Sequence, residues 1–162
     1  MLFEVPMEFD SKKKQGEWAE MVFEAFATRL GMTVSKPASE TRYDRITEHS
    51  GRMLRVQVKS VLAMWDGAYK VKIESQNKRP YVAGQIDVMA VYAIPENAWY
   101  IIPVQALEGV ETIMVRPNRV TSATEFEKYR ECWHLLMSRR GLPGTGRRRP
   151  AAKRARSKKL TT

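Results

Sequence analysis

Three polar side chains recur in a pattern that suits phosphate chemistry. Gln57 and Lys59 are two residues apart in the alternating segment 53–61, so both leave the predicted strand on one side. Asp44 lies thirteen residues before Gln57, on a short strand predicted over residues 43–47. Carboxylate and amide oxygens bind a hard cation such as Mg²⁺, and an ammonium group can orient water and neutralise developing negative charge. Phosphodiester hydrolysis requires this set of groups.

The elements around these residues alternate in a simple order. Ser11 can cap a helix that runs to about Leu30, and Gly31 is placed to end it. Strands are predicted over residues 32–35, 43–47, 53–61, 68–74, 88–94, 99–104 and 113–115, and a C-terminal helix from Ser122 or Thr124. Helix, strands and helix together predict an α/β (α+β) fold built on a single layered sheet.

Composition excludes several classes of protein. A chain of 162 residues suits one domain with a hydrophobic core. A single cysteine excludes a disulfide framework within the chain. The longest apolar run, residues 88–95, is far shorter than the roughly 20 residues needed to span a bilayer. We therefore expect a cytoplasmic protein with no membrane partner.

The net charge of +10 is concentrated at the C-terminal end. Ten of the 28 lysines and arginines lie in residues 139–162, which contain no acidic residue, so 18 basic and 18 acidic residues remain in residues 1–138. We predict a domain over residues 1–138 and a disordered basic tail over residues 139–162. Such a tail can bind phosphates without reading sequence, or serve as a solubilising segment or address signal. Its expected nucleic-acid contacts are Arg147, Arg148, Arg149, Lys153 and Arg154.

The ordered series of motifs resembles the PD-(D/E)XK nuclease superfamily. The triplet Gln57-Val58-Lys59 is similar to the Gln-x-Lys triplet of the branch related to intron-encoded homing endonucleases and archaeal junction resolvase-like proteins. The resemblance covers about residues 14–136, and its blocks are GEWAE at 16–20, RYD at 42–44, RVQVK at 55–59, the strands at 86–92 and 99–103, and the last helix around 128–133. It implies a restriction-endonuclease-like core, a central mixed sheet flanked by an N-terminal and a C-terminal helix.

The resemblance also implies roles for single residues. Gln57 stands where many relatives have a carboxylate, which removes one negative charge from the site. The implied cofactor is Mg²⁺, with Mn²⁺ as the alternative. The implied roles are Asp44 as principal metal ligand, Gln57 as second oxygen donor beside the Val58 carbonyl, Lys59 as the group that activates or steadies the nucleophilic water, and Glu20 as the acid from the first helix, with Glu17 as the alternative.

The expected function is metal-dependent hydrolysis of DNA by an endonuclease. Because a double-strand cutter needs two active sites, we expect a homodimer or larger homo-oligomer. Two alternatives remain open at this point. One is a catalytically inactive nucleic-acid-binding protein on the same fold, which Gln57 favours. The other is an accessory protein that binds DNA or RNA through its basic tail.

Several further residues have both a structural and a functional interpretation. Arg42 and Arg55 could contact phosphate, although pairing with Glu40 or Glu48 is the more frequent role for such arginines. Asp87, at the start of a strand, could cap that strand or orient another site residue. The aromatic residues near the strands usually pack but could also stack on bases, and they are Trp65, Tyr69 and Tyr81.

Overall fold

The structure is a computed structural model that describes residues 8–73, 84–118 and 124–137. The basic tail at 139–162, including Arg147, Arg148, Arg149, Lys153 and Arg154, lies outside the described residues, as does Tyr81. The division into a domain over residues 1–138 and a tail therefore stays a prediction.

One helix and eight strands make up the described fold, together with short 3-10 turns. The predicted strands are present with boundaries shifted by at most two residues, and the two-residue strand β4 was not predicted. The elements are α1 Lys12–Arg29, β1 Thr33–Ser35, β2 Arg45–His49, β3 Arg52–Val61, β4 Met64–Trp65, β5 Ala68–Lys72, β6 Val88–Ala93, β7 Ala98–Pro103 and β8 Thr112–Val115.

The strands form two sheets. The larger has five strands in the order β1-β2-β3-β6-β7, and the smaller has three in the order β4-β5-β8. Strand β3 pairs with β6 in parallel, and every other pair in the two sheets is antiparallel. The larger sheet is therefore mixed, and the fold class expected from the sequence is confirmed.

Helix α1 begins and ends where its sequence indicates. The Ser11 hydroxyl accepts a hydrogen bond from the Lys14 backbone N–H at 3.2 Å and so caps the first turn. Gly31, directly after the helix, has a φ of +84°, a left-handed conformation that costs a glycine little. The buried side of α1 repeats every four residues and packs on β3 residues Leu54, Val56 and Val58; its members are Gln15, Ala19, Phe23 and Ala27.

Strand β3 separates two hydrophobic clusters. Leu54, Val56 and Val58 join the cluster under α1. Because side chains alternate along a strand, Gln57 and Lys59 leave β3 on the other side, where Met89, Tyr100 and residues of the smaller sheet form the second cluster. Gln57 and Lys59 therefore lie on the side of the sheet that faces away from α1.

The predicted C-terminal helix is wrong for the described residues. Instead of one α-helix, residues 124–137 contain two short 3-10 helices, Glu127–Tyr129 and Trp133–Leu136. Between them Arg130 bridges to Tyr100 on β7, and Glu131 has a φ of +51°. The Glu131 backbone N–H donates to the Trp99 carbonyl at 2.8 Å, and the Glu131 carboxylate accepts from the Trp99 N–H at 2.8 Å. Pairing with β7 satisfies these backbone groups and interrupts the helical pattern.

The described residues contain no helix long and apolar enough to cross a bilayer.

Candidate active site

The centre of the site is a hydrogen-bonded group at the end of β2. The Asp44 carboxylate accepts from the Gln57 amide nitrogen at 2.6 Å and from the Val58 backbone N–H at 2.8 Å. The Asp44 backbone N–H donates to the Val56 carbonyl at 2.9 Å. Asp44 is therefore held against β3 through both its side chain and its backbone. The structure brings the two predicted metal-binding side chains into direct contact.

The Asp44 carboxylate is in an environment that resists its charge. Burial raises its pKa to about 6 from an ordinary value of 3.8, and the negative charge of Glu20 adds to the rise. The Val58 N–H, Lys59 and Arg45 act in the opposite direction. Strongly shifted carboxylates are frequent at functional sites, since binding a cation can relieve the unfavourable charge.

The environment of Lys59 also disfavours the charged form of its side chain. Burial lowers the pKa of its ammonium group, and the nearby Asp44 charge partly opposes this shift. The lysine is thus half-buried beside the carboxylate, close enough for their charges to interact. It can present an ammonium group to a water molecule or to a phosphate oxygen at the edge of the site.

Glu20 reaches the site from α1, where a buried arginine holds it. The Arg45 guanidinium donates to the Glu20 carboxylate at 2.7 Å and to the Asp44 carbonyl at 2.8 Å, and it lies 3.4 Å from Glu24. The alternative acid, Glu17, is exposed and lies 4.0 Å from Lys13 on the helix surface. Of the two candidate acids, Glu20 is the one that interacts electrostatically with Asp44.

Arg45 is a site residue that sequence reasoning missed. Its register opposite Val56 places it on the α1 side of the sheet, and only 4% of the residue is exposed. A signal was present: Glu20 and Glu24 are four residues apart and share a helix face, and a strand arginine on the covered side of a sheet needs acidic partners. The pattern of the strand alone does not indicate which helix residues supply them.

We expect Arg45→Met to destabilise the protein by about 2 kcal/mol, because Glu20 is left in a partly buried place without its partner. The surface pair Lys14–Asp10 is a matched control. Its atoms lie 2.9 Å apart, close to the 2.7 Å of Arg45–Glu20, but its side chains are 64% and 81% exposed against 5% and 19%. Lys14→Met should cost under about 0.5 kcal/mol. Urea denaturation measures both, and equal losses would contradict a special role for the buried pair.

The donor set suits a divalent cation. The Gln57 amide nitrogen donates to Asp44 at 2.6 Å and lies 3.3 Å from the Val58 carbonyl oxygen, so a partly positive NH₂ group stands between the two oxygens that the resemblance names as metal ligands. For Gln57 to be the third ligand, its amide has to present oxygen in place of nitrogen. Within residues 8–73, 84–118 and 124–137 no cluster of three His, Cys, Asp or Glu side chains forms a metal site. The fitting set is therefore a charge-poor one of Asp44, the Val58 carbonyl and Gln57.

Arg55 pairs with a different acid from the two expected. Its guanidinium makes two hydrogen bonds of 3.0 Å to the Asp87 carboxylate, and its backbone N–H donates to the same carboxylate at 2.8 Å. This guanidinium holds the pKa of Asp87 below its usual range. The expected pairing of Arg55 with Glu40 or Glu48 is therefore wrong, and Glu48 instead accepts from the Gly51 N–H at 2.7 Å. Asp87 thus orients the Arg55 guanidinium, and the contact of Arg55 with phosphate stays a prediction.

Arg42, Tyr69 and Trp65 differ in how far they are exposed to solvent. Arg42 is half-buried, and its contact with phosphate stays a prediction. Tyr69 is buried in the core, and its hydroxyl donates to Glu96 at 3.0 Å, so it packs. Trp65, by contrast, is 72% exposed.

The fold and sequence are similar to those of known nucleases. The bacterial homing endonuclease I-Ssp6803I is 25% identical, with a TM-score of 0.70 over 80% of this chain and 93% of its own. Hjc, a Holliday junction resolvase from the archaeal hyperthermophile Archaeoglobus fulgidus, is 16% identical, with a TM-score of 0.45 over 64% of this chain and 84% of its own. None of the proteins with curated descriptions matches the sequence.

The family match covers the helix, both sheets and the last 3-10 turns. Residues 10–136 match the PD-(D/E)XK endonuclease family, which spans every residue of the site described above. The resemblance inferred from the motifs is thereby confirmed. The chain belongs to the PD-(D/E)XK endonuclease family.

Proposed function

We propose that the protein is a Mg²⁺-dependent DNA endonuclease that hydrolyses phosphodiester bonds by attack of water. Members of the family generally use divalent metal ions. The likeness to a homing endonuclease favours DNA as the substrate. The observation that carries the proposal is the contact of Asp44 with Gln57 and Val58, with Lys59 close enough to shift its pKa.

The residues divide the work of the proposed reaction. Asp44, the Val58 carbonyl and Gln57 would hold the cation, which when bound acts as a Lewis acid on the phosphate and its water. Lys59 orients the water and offsets negative charge as it develops on the phosphate. Arg45 keeps Glu20 beside Asp44 and binds the Asp44 carbonyl. No covalent intermediate is required when water is the nucleophile.

A plasmid-nicking assay tests this function directly. Purified protein should convert supercoiled plasmid to nicked and linear forms with Mg²⁺ or Mn²⁺, and EDTA should stop the reaction. Linear product formed in step with nicked product would support a homodimer, since two sites must then act together. Tight DNA binding without any cleavage would contradict the proposal and favour the inactive nucleic-acid-binding protein.

Removing the basic tail tests the second alternative, an accessory protein that binds DNA or RNA through this tail. A chain shortened to residues 1–139 should bind DNA more weakly, with a smaller dependence on salt, and should still nick plasmid. Loss of all binding at low salt would favour an accessory protein that acts through its tail.

Gln57→Glu is expected to lower the Mg²⁺ concentration for half-maximal nicking by about tenfold, because a second carboxylate raises the charge of the ligand set. The Gln57 nitrogen already lies 2.6 Å from the Asp44 carboxylate, so two like charges would meet there without metal. The metal-free variant should therefore melt at a lower temperature than the wild type at neutral pH, and Mg²⁺ should restore it.

The control for Gln57→Glu is Gln105→Glu, which adds the same charge at an exposed position outside the site. An unchanged Mg²⁺ requirement in the Gln57 variant would show that this residue is not a ligand.

A further inference from the structure

The smaller sheet has one buried side and one exposed side. Tyr69 and Val71 on β5 lie opposite Val115 and Ile113 on β8, and all four belong to the core. The alternate residues face solvent: Lys70 pairs with Met114, and Lys72 pairs with Thr112. Trp65 pairs with Ala68, which by alternation places the tryptophan on the same side as these lysines. We call this side, Trp65, Lys70, Lys72 and Met114, the outer sheet surface.

The outer sheet surface exposes two large apolar side chains, Trp65 and Met114. Trp65 is 72% exposed, and it is the exposed member of the four tryptophans, since Trp99 and Trp133 are buried and Trp18 is half-buried. Met114, on the same surface, is also exposed. Tryptophans and methionines left open to water in one place commonly mark a binding surface.

A tight turn presents Trp65 in a fixed way. Asp66 and Gly67, the two residues between β4 and β5, have φ values of 51° and 68°. Positive φ at both positions is typical of a type I′ turn, whose twist matches that of the strands and so stabilises a two-residue hairpin. Where Trp65 pairs with Ala68, beyond the last β8 partner at Tyr69, the sheet narrows to two strands, and a two-stranded ribbon fits the major groove of B-DNA.

The charge of the surface favours a polyanion over a second copy of the chain. Lys70 and Lys72 are exposed and form no ion pair with any residue in the described part of the chain. A two-fold symmetric contact would place each surface against itself, so the lysines of the two copies would repel one another. Against DNA the same lysines lie opposite phosphates.

The hairpin is also close in sequence to Lys59, the proposed catalytic lysine. Trp65 follows Lys59 by six residues, so their Cα atoms are at most about 22 Å apart. At about 3.4 Å per base pair, this distance corresponds to roughly six base pairs of B-DNA.

We propose that the outer sheet surface binds duplex DNA within about six base pairs of the cleaved phosphate, with Trp65 contacting base edges in the groove and Lys70 and Lys72 contacting phosphates. This inference rests on the proposed nuclease function, and it assigns a substrate-binding surface separate from the candidate active site around Asp44.

Tryptophan quenching tests the surface without any cleavage. A mixed-sequence duplex of about three helical turns, roughly 30 base pairs, is added in EDTA, and quenching by acrylamide is compared with and without it. The duplex should protect the exposed tryptophan, and Trp65→Ser should abolish the protected component. Trp65→Ser should also weaken binding about tenfold, as is common for a tryptophan at the centre of an interface. Met21→Ser, at an exposed position on α1, is the control and should bind as the wild type does.

The lysines have their own measurement. Replacing both Lys70 and Lys72 by Gln should reduce the slope of log affinity against log salt by about two. Wild-type affinity in Trp65→Ser, or unchanged quenching on addition of duplex, would overturn the inference. So would a loss of dimer mass in Trp65→Ser with unchanged affinity, which would assign the surface to a second copy.

The experiments distinguish an error in the proposed DNA-binding surface from an error in the proposed nuclease function. A wild-type protein that nicks plasmid while Trp65→Ser binds normally keeps its function and loses this inference. A wild-type protein that protects Trp65 with DNA but does not nick with any divalent metal keeps the surface and loses the nuclease. A wild-type protein that neither binds nor nicks loses both.

Discussion

Asp44→Asn is expected to abolish plasmid cleavage and, at the same time, to stabilise the metal-free protein at neutral pH. Cleavage should fall at least about 100-fold, because the variant loses the only carboxylate that touches both Gln57 and Val58 among the described residues. Asparagine keeps an oxygen that can accept the Val58 N–H, so the local backbone should remain as it is. The loss would then come from charge and not from unfolding.

The gain in stability follows from the sign of the pKa shift. Asp44 has a folded pKa of about 6 against 3.8 in the unfolded chain, so the folded protein binds the extra proton between these values. Its contribution to stability is fully present below 3.8 and is lost as the pH rises through about 6. A shift of this size corresponds to about 3 kcal/mol at most, and partial hydration of the group reduces the observed effect.

The stability of wild type and Asp44→Asn should therefore be compared across pH. The two should be equal near pH 4, and the variant should become more stable as the pH rises to about 6, with no further divergence above it. Urea denaturation at each pH measures the difference. Asp10→Asn, at an exposed surface position, is the matched control and should show no such divergence. A variant that is less stable at pH 8, or that still cleaves, would contradict the assignment.

Metal binding should show the same pH dependence. Protons compete with the cation for the Asp44 carboxylate, so the Mg²⁺ requirement should rise about tenfold for each unit below pH 6. Mg²⁺ should raise the melting temperature of the wild type and leave that of Asp44→Asn unchanged. The carboxylate thus lowers the stability of the empty protein in the pH range where the proposed reaction needs its charge.

The sequence predicted the parts of the fold that local patterns control. The Ser11 cap, the Gly31 stop and the alternation along β3 each depend on a few neighbouring residues, and each is present. The C-terminal helix was wrong because its apolar spacing is helical while its backbone is paired with a distant strand. The bridge from Arg130 to Tyr100 and the bonds between Glu131 and Trp99 are long-range and leave no local signal.

The site divides in the same way. Asp44, Gln57 and Lys59 could be found together because the period of a strand and the order of the motifs place them on neighbouring positions. Arg45 and Asp87 could not be assigned, since their partners come from another element: Glu20 on α1 for the former, and Arg55 on β3 for the latter. Ion pairs between different elements depend on how those elements pack. The sequence contains many acidic residues, and it does not indicate which of them pairs with a given arginine.

Lys59→Met should reduce cleavage by about 100-fold or more while leaving DNA binding and the fold intact. The methionine keeps most of the apolar stem of the lysine and removes the ammonium group. Because burial lowers the pKa of Lys59, the native environment already disfavours its charge, and an uncharged side chain should not destabilise the protein. Loss of a group that orients water and offsets developing charge typically costs about 100- to 10,000-fold in rate.

The control for Lys59→Met has to separate this role from simple attraction of DNA. Lys13→Met removes the same charge from an exposed lysine of α1 and should leave the rate within about twofold of the wild type. Single-turnover cleavage at saturating protein then measures chemistry apart from binding, and a filter-binding titration in EDTA measures affinity. A Lys59 variant that cleaves at the wild-type rate when saturated, but binds more weakly, would make this lysine a phosphate contact. If the Lys59 variant cleaves more slowly but binds DNA with unchanged affinity, the ammonium group acts at the reacting phosphate. This is the position expected for a lysine whose charge interacts with that of Asp44.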